Sequence, residues 1–305
     1  MECFFSIVIP LYNKEESIIN TLKSVMEQDF TAFEVLVVND GSTDNSASLV
    51  ESFNDDRIRL FDQKNAGVSA ARNLGFEKAQ CEYICLLDAD DLWEITFLSE
   101  MYKLISDYPN CGLYCSNYRY LLSDGRVRNT AFKHVPERGV IKDYYKAVSR
   151  NKSSGLTSQS SICVKKEAFQ KVGGYPLGIT HTEDILFCSL LSHTYKIAYV
   201  NKALASYRLD AENRSNNTKP TGERYVVKML APYTLNNNVK FKYLESFIGK
   251  HILHSASNCI ELRKEDMFKL HMKDNRLNFL KLSMYYKLVY VLFTILPFGV
   301  LRKLL

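Results

Sequence analysis

The chain lacks both glycine-rich phosphate loops. No G-x-G-x-x-G follows its first strand-like run, and no G-x-x-x-x-G-K-[S/T] occurs. Such loops cradle phosphates with backbone N–H groups, so their absence weighs against NAD-dependent and NTP-hydrolysing chemistry. Cysteine pairs with a two-residue gap are also missing. Cys81/Cys85 and Cys111/Cys115 are spaced by four, without a glycine-rich knuckle, and the eight cysteines are scattered through core-like segments. A four-thiolate zinc site is therefore not expected, and free thiols in a reducing cytosol are. Residues Met1 to Pro10 have no basic start, long apolar stretch or small-residue cleavage site, so no signal peptide is expected there. The apolar run Leu288–Leu301 falls short of the ~20 residues that span a bilayer, and Pro297 and Gly299 interrupt it.

What is present is a chain of 305 residues, 46% of them hydrophobic. That suffices for one large α/β domain plus an appendage and excludes global disorder. The net charge of +5 is uneven. Residues 240–305 hold 12 Lys/Arg against 5 Asp/Glu, which leaves 27 against 29 for everything before them. The basic character belongs to the C-terminal segment, and nothing in it points to a nucleic-acid partner.

Tyr83-Ile84-Cys85-Leu86-Leu87-Asp88-Ala89-Asp90-Asp91 is an apolar run that ends in three carboxylates. The run reads as a buried strand. In an extended chain Asp88 and Asp90 share a face, with Asp91 turned away. Two adjacent carboxylates repel unless a cation separates them, and a hard divalent ion with oxygen ligands suits them. Alternatively Asp90 or Asp91 caps a helix starting near Trp93. Upstream, strand-like 6–10 and 33–38 and helix-like 15–28 alternate, followed by strand-like 57–61 and a helix opened by Asn65-Ala66-Gly67. Alternation of this kind predicts a mostly parallel sheet with helices on both faces, with ligands at the carboxyl ends of the strands. Asp40 and Asp88–Asp91 both fall at such ends.

Four segments carry a resemblance: Ser6-Ile7-Val8-Ile9-Pro10-Leu11-Tyr12-Asn13, Val38-Asn39-Asp40-Gly41-Ser42-Thr43-Asp44, Asn65-Ala66-Gly67-Val68-Ser69-Ala70-Ala71-Arg72-Asn73, and Asp88-Ala89-Asp90. In this order the chain resembles the family 2 glycosyltransferases of bacterial polysaccharide synthesis, such as O-antigen or capsule. The resemblance implies a GT-A fold over 1–220. Its 1–110 half would bind the nucleotide sugar and its 111–220 half the acceptor, leaving 221–305 as a basic amphipathic helical region. It also implies site roles. Asp40 would accept the imide N–H of a uracil or thymine ring, and Pro10 and Tyr12 would line the base and ribose pocket. Asn65 and Arg72 would lie near the nucleotide. Asp88 would face the ribose and the metal, and Asp90 would hold Mn²⁺ or Mg²⁺ on the diphosphate. Two readings stay open for Glu15: support of the nucleotide loop, or a favourable charge in a helix first turn.

In the second half, His181-Thr182-Glu183-Asp184 opens a helix-like segment. The resemblance carries the catalytic base onto Asp184, whereas Glu183 and Asp184 on their own read as first-turn residues. A family histidine two residues after Tyr207-Arg208 is replaced here by Asp210, a candidate third metal ligand; Arg208 or Arg214 would then meet the diphosphate. The implied activity is inverting transfer from a nucleotide sugar, most simply a UDP-sugar, to a lipid-linked or growing cell-surface glycan. The alternatives are a sugar-phosphate nucleotidyltransferase or a non-catalytic nucleotide-sugar scaffold. The run 288–301, flanked by Lys281, Lys287, Arg302 and Lys303, either anchors the chain in the plane of the inner membrane face or docks on the catalytic core.

Overall fold

A computed structural model describes residues 3–151, 155–179, 181–213, 224–234 and 241–304. Arg214 lies outside these described residues. The elements are β1 (Phe5–Leu11), α1 (Ile18–Met26), β2 (Phe33–Asn39), α2 (Ser46–Glu51), β3 (Ile58–Asp62), α3 (Val68–Lys78), β4 (Tyr83–Leu86), β5 (Leu92–Trp93), α4 (Phe97–Asp107) and β6 (Cys111–Leu121). They continue as β7 (Val127–Asn129), β8 (Arg138–Val140), α5 (Tyr144–Arg150), β9 (Ile162–Lys165), α6 (Lys166–Val172), α7 (Glu183–Thr194) and β10 (Lys196–Arg208). The last five are α8 (Tyr225–Leu230), α9 (Leu244–Glu261), α10 (Glu265–Met272), α11 (Met284–Ile295) and α12 (Phe298–Leu304). The chain divides into two compact units. One comprises Met1–Lys142, Leu156–Thr180 and Phe187–Arg214; the other comprises Asp143–Gly155, His181–Leu186 and Ser215–Leu305.

The first unit is built on a sheet of strand order β3-β2-β1-β4-β9-β6-β10-β5. Its leading half, β3-β2-β1-β4, is parallel throughout. Strand β9 enters antiparallel between β4 and β6, and β10 runs parallel to β6. This is the expected α/β architecture. Strands β1 and β2 are buried almost end to end, which is why they read as continuous apolar runs rather than alternating ones. Because β1, β2, β4 and β10 point the same way, their carboxyl ends share one rim. Leu11, Asn39, Leu86 and Arg208 are the last residues before it.

Helix α3 packs tightly on β1. A Cβ on Gly75 would stand 2.2 Å from Val8 Cγ1, and Val8 is fully buried. Gly75→Ala is expected to lower stability by roughly 1–3 kcal/mol, the usual cost of overpacking a full core. A denaturation midpoint unchanged from wild type would contradict this contact.

Three local expectations are corrected. Trp93 opens no helix; it sits in the short strand β5, paired with Ala205 of β10, and the helix begins at Phe97. The indole N–H of Trp93 donates to the Ser160 carbonyl at 2.6 Å. Cys3 and Cys81 are not free thiols but form a disulfide. They sit at the starts of the neighbouring strands β1 and β4, with Cα atoms 5.8 Å apart, a closeness invisible across 78 residues of sequence. Cys85, Cys111, Cys115, Cys163, Cys188 and Cys259 are buried and take part in no disulfide. Finally, α9 is buried on nearly all sides rather than along one apolar stripe, because it is the central helix of the second unit, against α5, α8, α10, α11 and α12.

That central position forces ionisable groups inside. Lys250 and His251 are fully buried. The Lys250 ammonium donates to the carbonyls of Val148 (2.7 Å) and Asn151 (2.9 Å). His251 Nδ1 lies 3.3 Å from Arg224 Nη1, and His254 Nε2 lies 2.9 Å from the Tyr286 hydroxyl. Burial, reinforced by the nearby Arg224 charge, pulls Lys250 down to about 7, His254 to about 3 and His251 well below its ordinary value. Between each folded value and its ordinary one the unfolded chain binds more protons, so stability rises with pH. For His254 the window runs from about 3 up to 6.5, and for Lys250 from about 7 up to 10.5. These two groups contribute a rise in stability from about pH 5 to about pH 8, set against the opposite contribution of the raised Asp90 and Asp91 carboxyls. His254→Gln, which keeps a partner for Tyr286, should flatten the acid side of the curve. An acid limb that His254→Gln leaves unchanged would contradict the buried neutral histidine.

Candidate active site

The rim begins with the loop after β1. Asn13 takes a left-handed φ of 50°, and the loop is fastened to the one after β2. The Asn13 N–H donates to Ser42 Oγ (3.1 Å), the Thr43 N–H to Asn13 Oδ1 (2.8 Å), and the Lys14 N–H to Ser46 Oγ (2.7 Å). Glu15 Oε2 accepts from the backbone N–H and side-chain amide of Asn45 at 2.9 and 2.8 Å. Glu15 thus precedes α1 and bridges two loops instead of occupying the first helical turn. Pro10 is half-buried near the end of β1, and Tyr12 is exposed beside the loop.

Asp40, buried just past β2, organises a third loop. Its Oδ1 accepts from Gln63 Nε2 (2.7 Å) and the Ala66 N–H (2.8 Å), and its Oδ2 from the Gly67 N–H (2.9 Å). A carboxylate oxygen has two lone pairs, so Oδ2 retains one for a further N–H. The neighbouring Gly41 has φ +73°, and a Cβ there would stand 2.9 Å from the Asn65 backbone nitrogen. Only glycine lets the exposed Asn65 approach so closely.

The carboxylates after β4 are separated by function. The chain leaves the strand at Leu86 and turns, with the Asp91 N–H donating to the Asp88 carbonyl at 3.0 Å. Strand alternation therefore does not set their directions; their partners do. Asp88 Oδ1 accepts from Arg72 Nη2 at 2.7 Å. Arg72 is buried on α3, with its guanidinium 5.3 Å from the Tyr175 ring centre. Tyr175 is fixed in turn by Asn73, which pairs with its backbone N–H and carbonyl at 2.8 and 2.9 Å. Asp90 Oδ2 meets the Lys14 ammonium at 2.7 Å. Lys14 also donates to the carbonyls of Glu212 and Asn213. Asp91 turns inward and caps no helix. It accepts from Ser160 Oγ (2.5 Å) and the Arg208 N–H (3.1 Å), and Ser160 Oγ accepts the Asp88 N–H at 3.1 Å.

The electrostatics follow from this crowding. Burial first, then the charges of Asp90 and Asp88, push the Asp91 carboxyl far above its ordinary value. Burial raises Asp90 as well; Lys14 opposes that rise and Asp88 adds to it. The pair Asp88/Asp90 is a cluster of hard oxygen atoms that already attracts a cation, and its donor type fits a divalent ion. Asp210 is not brought to it. It lies 3.6 Å from Arg208 Nε as an ion pair. Among the described residues the one triple of candidate ligand atoms within 4.8 Å of one another is Cys3, Glu34 and Cys81, and its two sulfurs are joined in the disulfide and offer no thiolate.

Asp184 belongs to the second unit. It stands in the first turn of α7, after Thr182 with φ 68°, and its Oδ1 accepts the Ile185 N–H at 2.7 Å. Burial, then the Arg224 charge, lower the His181 pKa, against which Asp184 works. Arg224 is itself pulled down to about 10 by burial, with Tyr286 and Asp184 opposing.

Sequence reasoning missed Lys14, Ser160 and Tyr175. The signal for Lys14 was its place in the loop after β1, beside Tyr12 and Asn13. For Ser160 and Tyr175 no local signal exists, since their partners are 69 and 102 residues away.

A half-sheet of parallel strands, continued by a mixed half that ends in β10 and β5, is the architecture of a GT-A fold. The structure of S. aureus TarS 1–349 in complex with UDP-GlcNAc shares that fold with a TM-score of 0.73 at 18% identity, covering 98% of this chain and 90% of that one. The mannosyltransferase PcManGT from Pyrobaculum calidifontis, in complex with GDP-Man and Mn²⁺, gives 0.59 at 17% identity over 100% and 87%. The chain belongs to glycosyl transferase family 2, whose profile matches residues 6–173. Glycosyltransferase GlyA of Streptococcus pneumoniae is 28% identical over 211 residues, 67% of this chain but only 30% of GlyA.

Proposed function

We propose that this protein is an inverting, metal-assisted glycosyltransferase that moves a sugar from a nucleotide sugar, most simply a UDP-sugar, to a hydroxyl of a lipid-linked or growing cell-surface glycan. The observation that carries this reading is the rim itself. Asp40, Arg72–Asp88 and Lys14–Asp90 stand at the carboxyl ends of β1, β2 and β4 in a chain of this family. The UDP-GlcNAc complex of TarS supports a uridine donor.

In this reading Asp40 uses its remaining Oδ2 lone pair for the imide N–H of the base, while Pro10, Tyr12 and Asn65 flank base and ribose. Arg72 holds the Asp88 carboxylate toward the ribose. Asp88 and Asp90 would hold Mn²⁺ or Mg²⁺, which offsets charge on the leaving diphosphate. The Mn²⁺ in the PcManGT complex supports that choice. Asp184 takes the proton of the acceptor hydroxyl. The oxygen bonds to the anomeric carbon as the bond from that carbon to the diphosphate oxygen breaks on the opposite face, and the nucleoside diphosphate departs. Lys14 and Arg208 supply further positive charge at the rim. Residues 1–220 form the catalytic part, and 221–305 hold it at the cytoplasmic face of the plasma membrane, where a lipid-linked acceptor would be met.

The test is a panel of nucleotide sugars scored by thermal shift with Mn²⁺, since a ligand that binds only the folded state raises the melting temperature. A uridine diphosphate sugar should give the largest shift, and the same compound should be hydrolysed or transferred. Release of pyrophosphate from a nucleoside triphosphate plus a sugar phosphate would instead establish a nucleotidyltransferase.

A further inference from the structure

Helix α11 is apolar on both sides. Tyr286 and Phe293 face inward, packed with Leu253, Ala256, Ile260 and Phe268. The opposite side carries Met284, Leu288, Val291, Leu292 and Ile295, one continuous stripe at helical spacing, and it is open to solvent. Met284 is 72% exposed, Leu288 60% and Ile295 67%. Tyr285, 47% exposed, borders the stripe, and Thr294 at its edge donates to the Tyr290 carbonyl at 2.8 Å and so lends it little polarity. A helix on a soluble surface would carry charge there. Contiguous exposed apolar surface marks an interaction site.

The stripe borders a groove between α9 and α11 of about 390 Å³, lined by Leu253, His254, Leu288, Val289, Leu292 and Phe293. Leu288 and Leu292 belong to both, so the groove opens on the stripe. Its polar lining is His254, Ser257, Tyr285 and Tyr286, of which His254 Nε2 and the Tyr286 hydroxyl lie 2.9 Å apart. The rest of the wall is aliphatic or aromatic and suits an apolar guest. An apolar cavity of about 150 Å³ holds benzene, so this one has room for a length of hydrocarbon chain.

Charge identifies the partner. From Asn275 to Leu305 there are five basic residues, Arg276, Lys281, Lys287, Arg302 and Lys303, and no acidic one. Two copies of such a surface would repel each other. An anionic sheet of lipid would attract it. The chain breaks between α11 and α12 at Leu296–Pro297, and no helix among the described residues is long and apolar enough to cross a membrane. The geometry is thus that of a helix lying in the interface.

We infer that the outer face of α11 docks in the plane of an anionic phospholipid bilayer, with one acyl chain entering the groove between α9 and α11. This rests on the membrane reading above for its choice of partner. The full chain should sediment with vesicles of phosphatidylcholine and phosphatidylglycerol, remain in solution with phosphatidylcholine alone, and be partly released by salt. Leu288→Glu with Leu292→Glu should weaken sedimentation at least tenfold at an unchanged melting temperature. Lys281→Ala with Lys287→Ala should weaken it severalfold. Tryptophan placed by Ser257→Trp, on the groove wall, should be quenched by lipids brominated along the acyl chain. Equal binding to both vesicle types, or undiminished binding by the glutamate variant, overturns the docking face. A dimer that Leu288→Glu dissociates would assign the stripe to a second copy instead. An unquenched tryptophan in vesicle-bound protein overturns chain entry. Donor hydrolysis by the vesicle-free enzyme reports separately on the catalytic reading.

Discussion

Asp90→Asn is expected to abolish sugar transfer and to remove most Mn²⁺-dependent UDP binding while the protein still folds. Asparagine keeps the shape of the side chain and loses its charge. A neutral amide oxygen is a poor ligand for a divalent ion beside a single remaining carboxylate, Asp88. The change also strips Lys14 of its anionic partner at 2.7 Å. Lys14 keeps the Glu212 and Asn213 carbonyls, so the expected loss of stability is ~1–3 kcal/mol rather than that of a fully orphaned buried charge. Calorimetric titration of UDP with and without Mn²⁺ provides the measurement. Metal-dependent UDP affinity equal to wild type would remove Asp90 from the site. Lys14→Met separates the two roles of the pair. With no ammonium competing for Asp90, Mn²⁺ alone should bind roughly tenfold more tightly, equivalent to ~1.4 kcal/mol. Weaker Mn²⁺ binding in that variant would show that Lys14 organises the site instead of competing for it.

Asp184→Asn is the second large effect. Donor binding should persist, because the nucleotide rim lies in the other unit, while transfer falls by on the order of 10²-fold or more, as loss of a general base does. The variant should retain the UDP-dependent thermal shift of wild type and lose product. Near-normal transfer would move the proton to another group, with Glu183, its neighbour at the start of α7, the first to examine.

Much of the fold was legible locally. Strands such as 6–10 and 33–38 are continuous apolar runs because both faces of the parallel sheet half are covered, and a covered strand needs no polar face. The placement of Asp40 and Asp88 at strand ends followed from that reading, since chain direction in alternating strand and helix puts successive carboxyl ends on one rim.

What the chain alone could not reveal depends on which distant segments meet. Asp88, Asp90 and Asp91 are adjacent and chemically alike, yet Arg72, Lys14 and Ser160 give them three different partners. Those partners come from a helix, a loop and a 3-10 turn separated by up to 146 positions from Lys14 to Ser160. The Cys3–Cys81 bridge and the burial of Lys250 and His251 have the same origin. Periodicity reports which face of an element is apolar, but the side on which α9 meets its neighbours exists only once they pack. Residue type and spacing thus determined the sheet, its direction and the chemistry available at its rim. Tertiary packing decided which carboxylate faces a cation and which is buried, because charge pairing and burial are properties of neighbours in space.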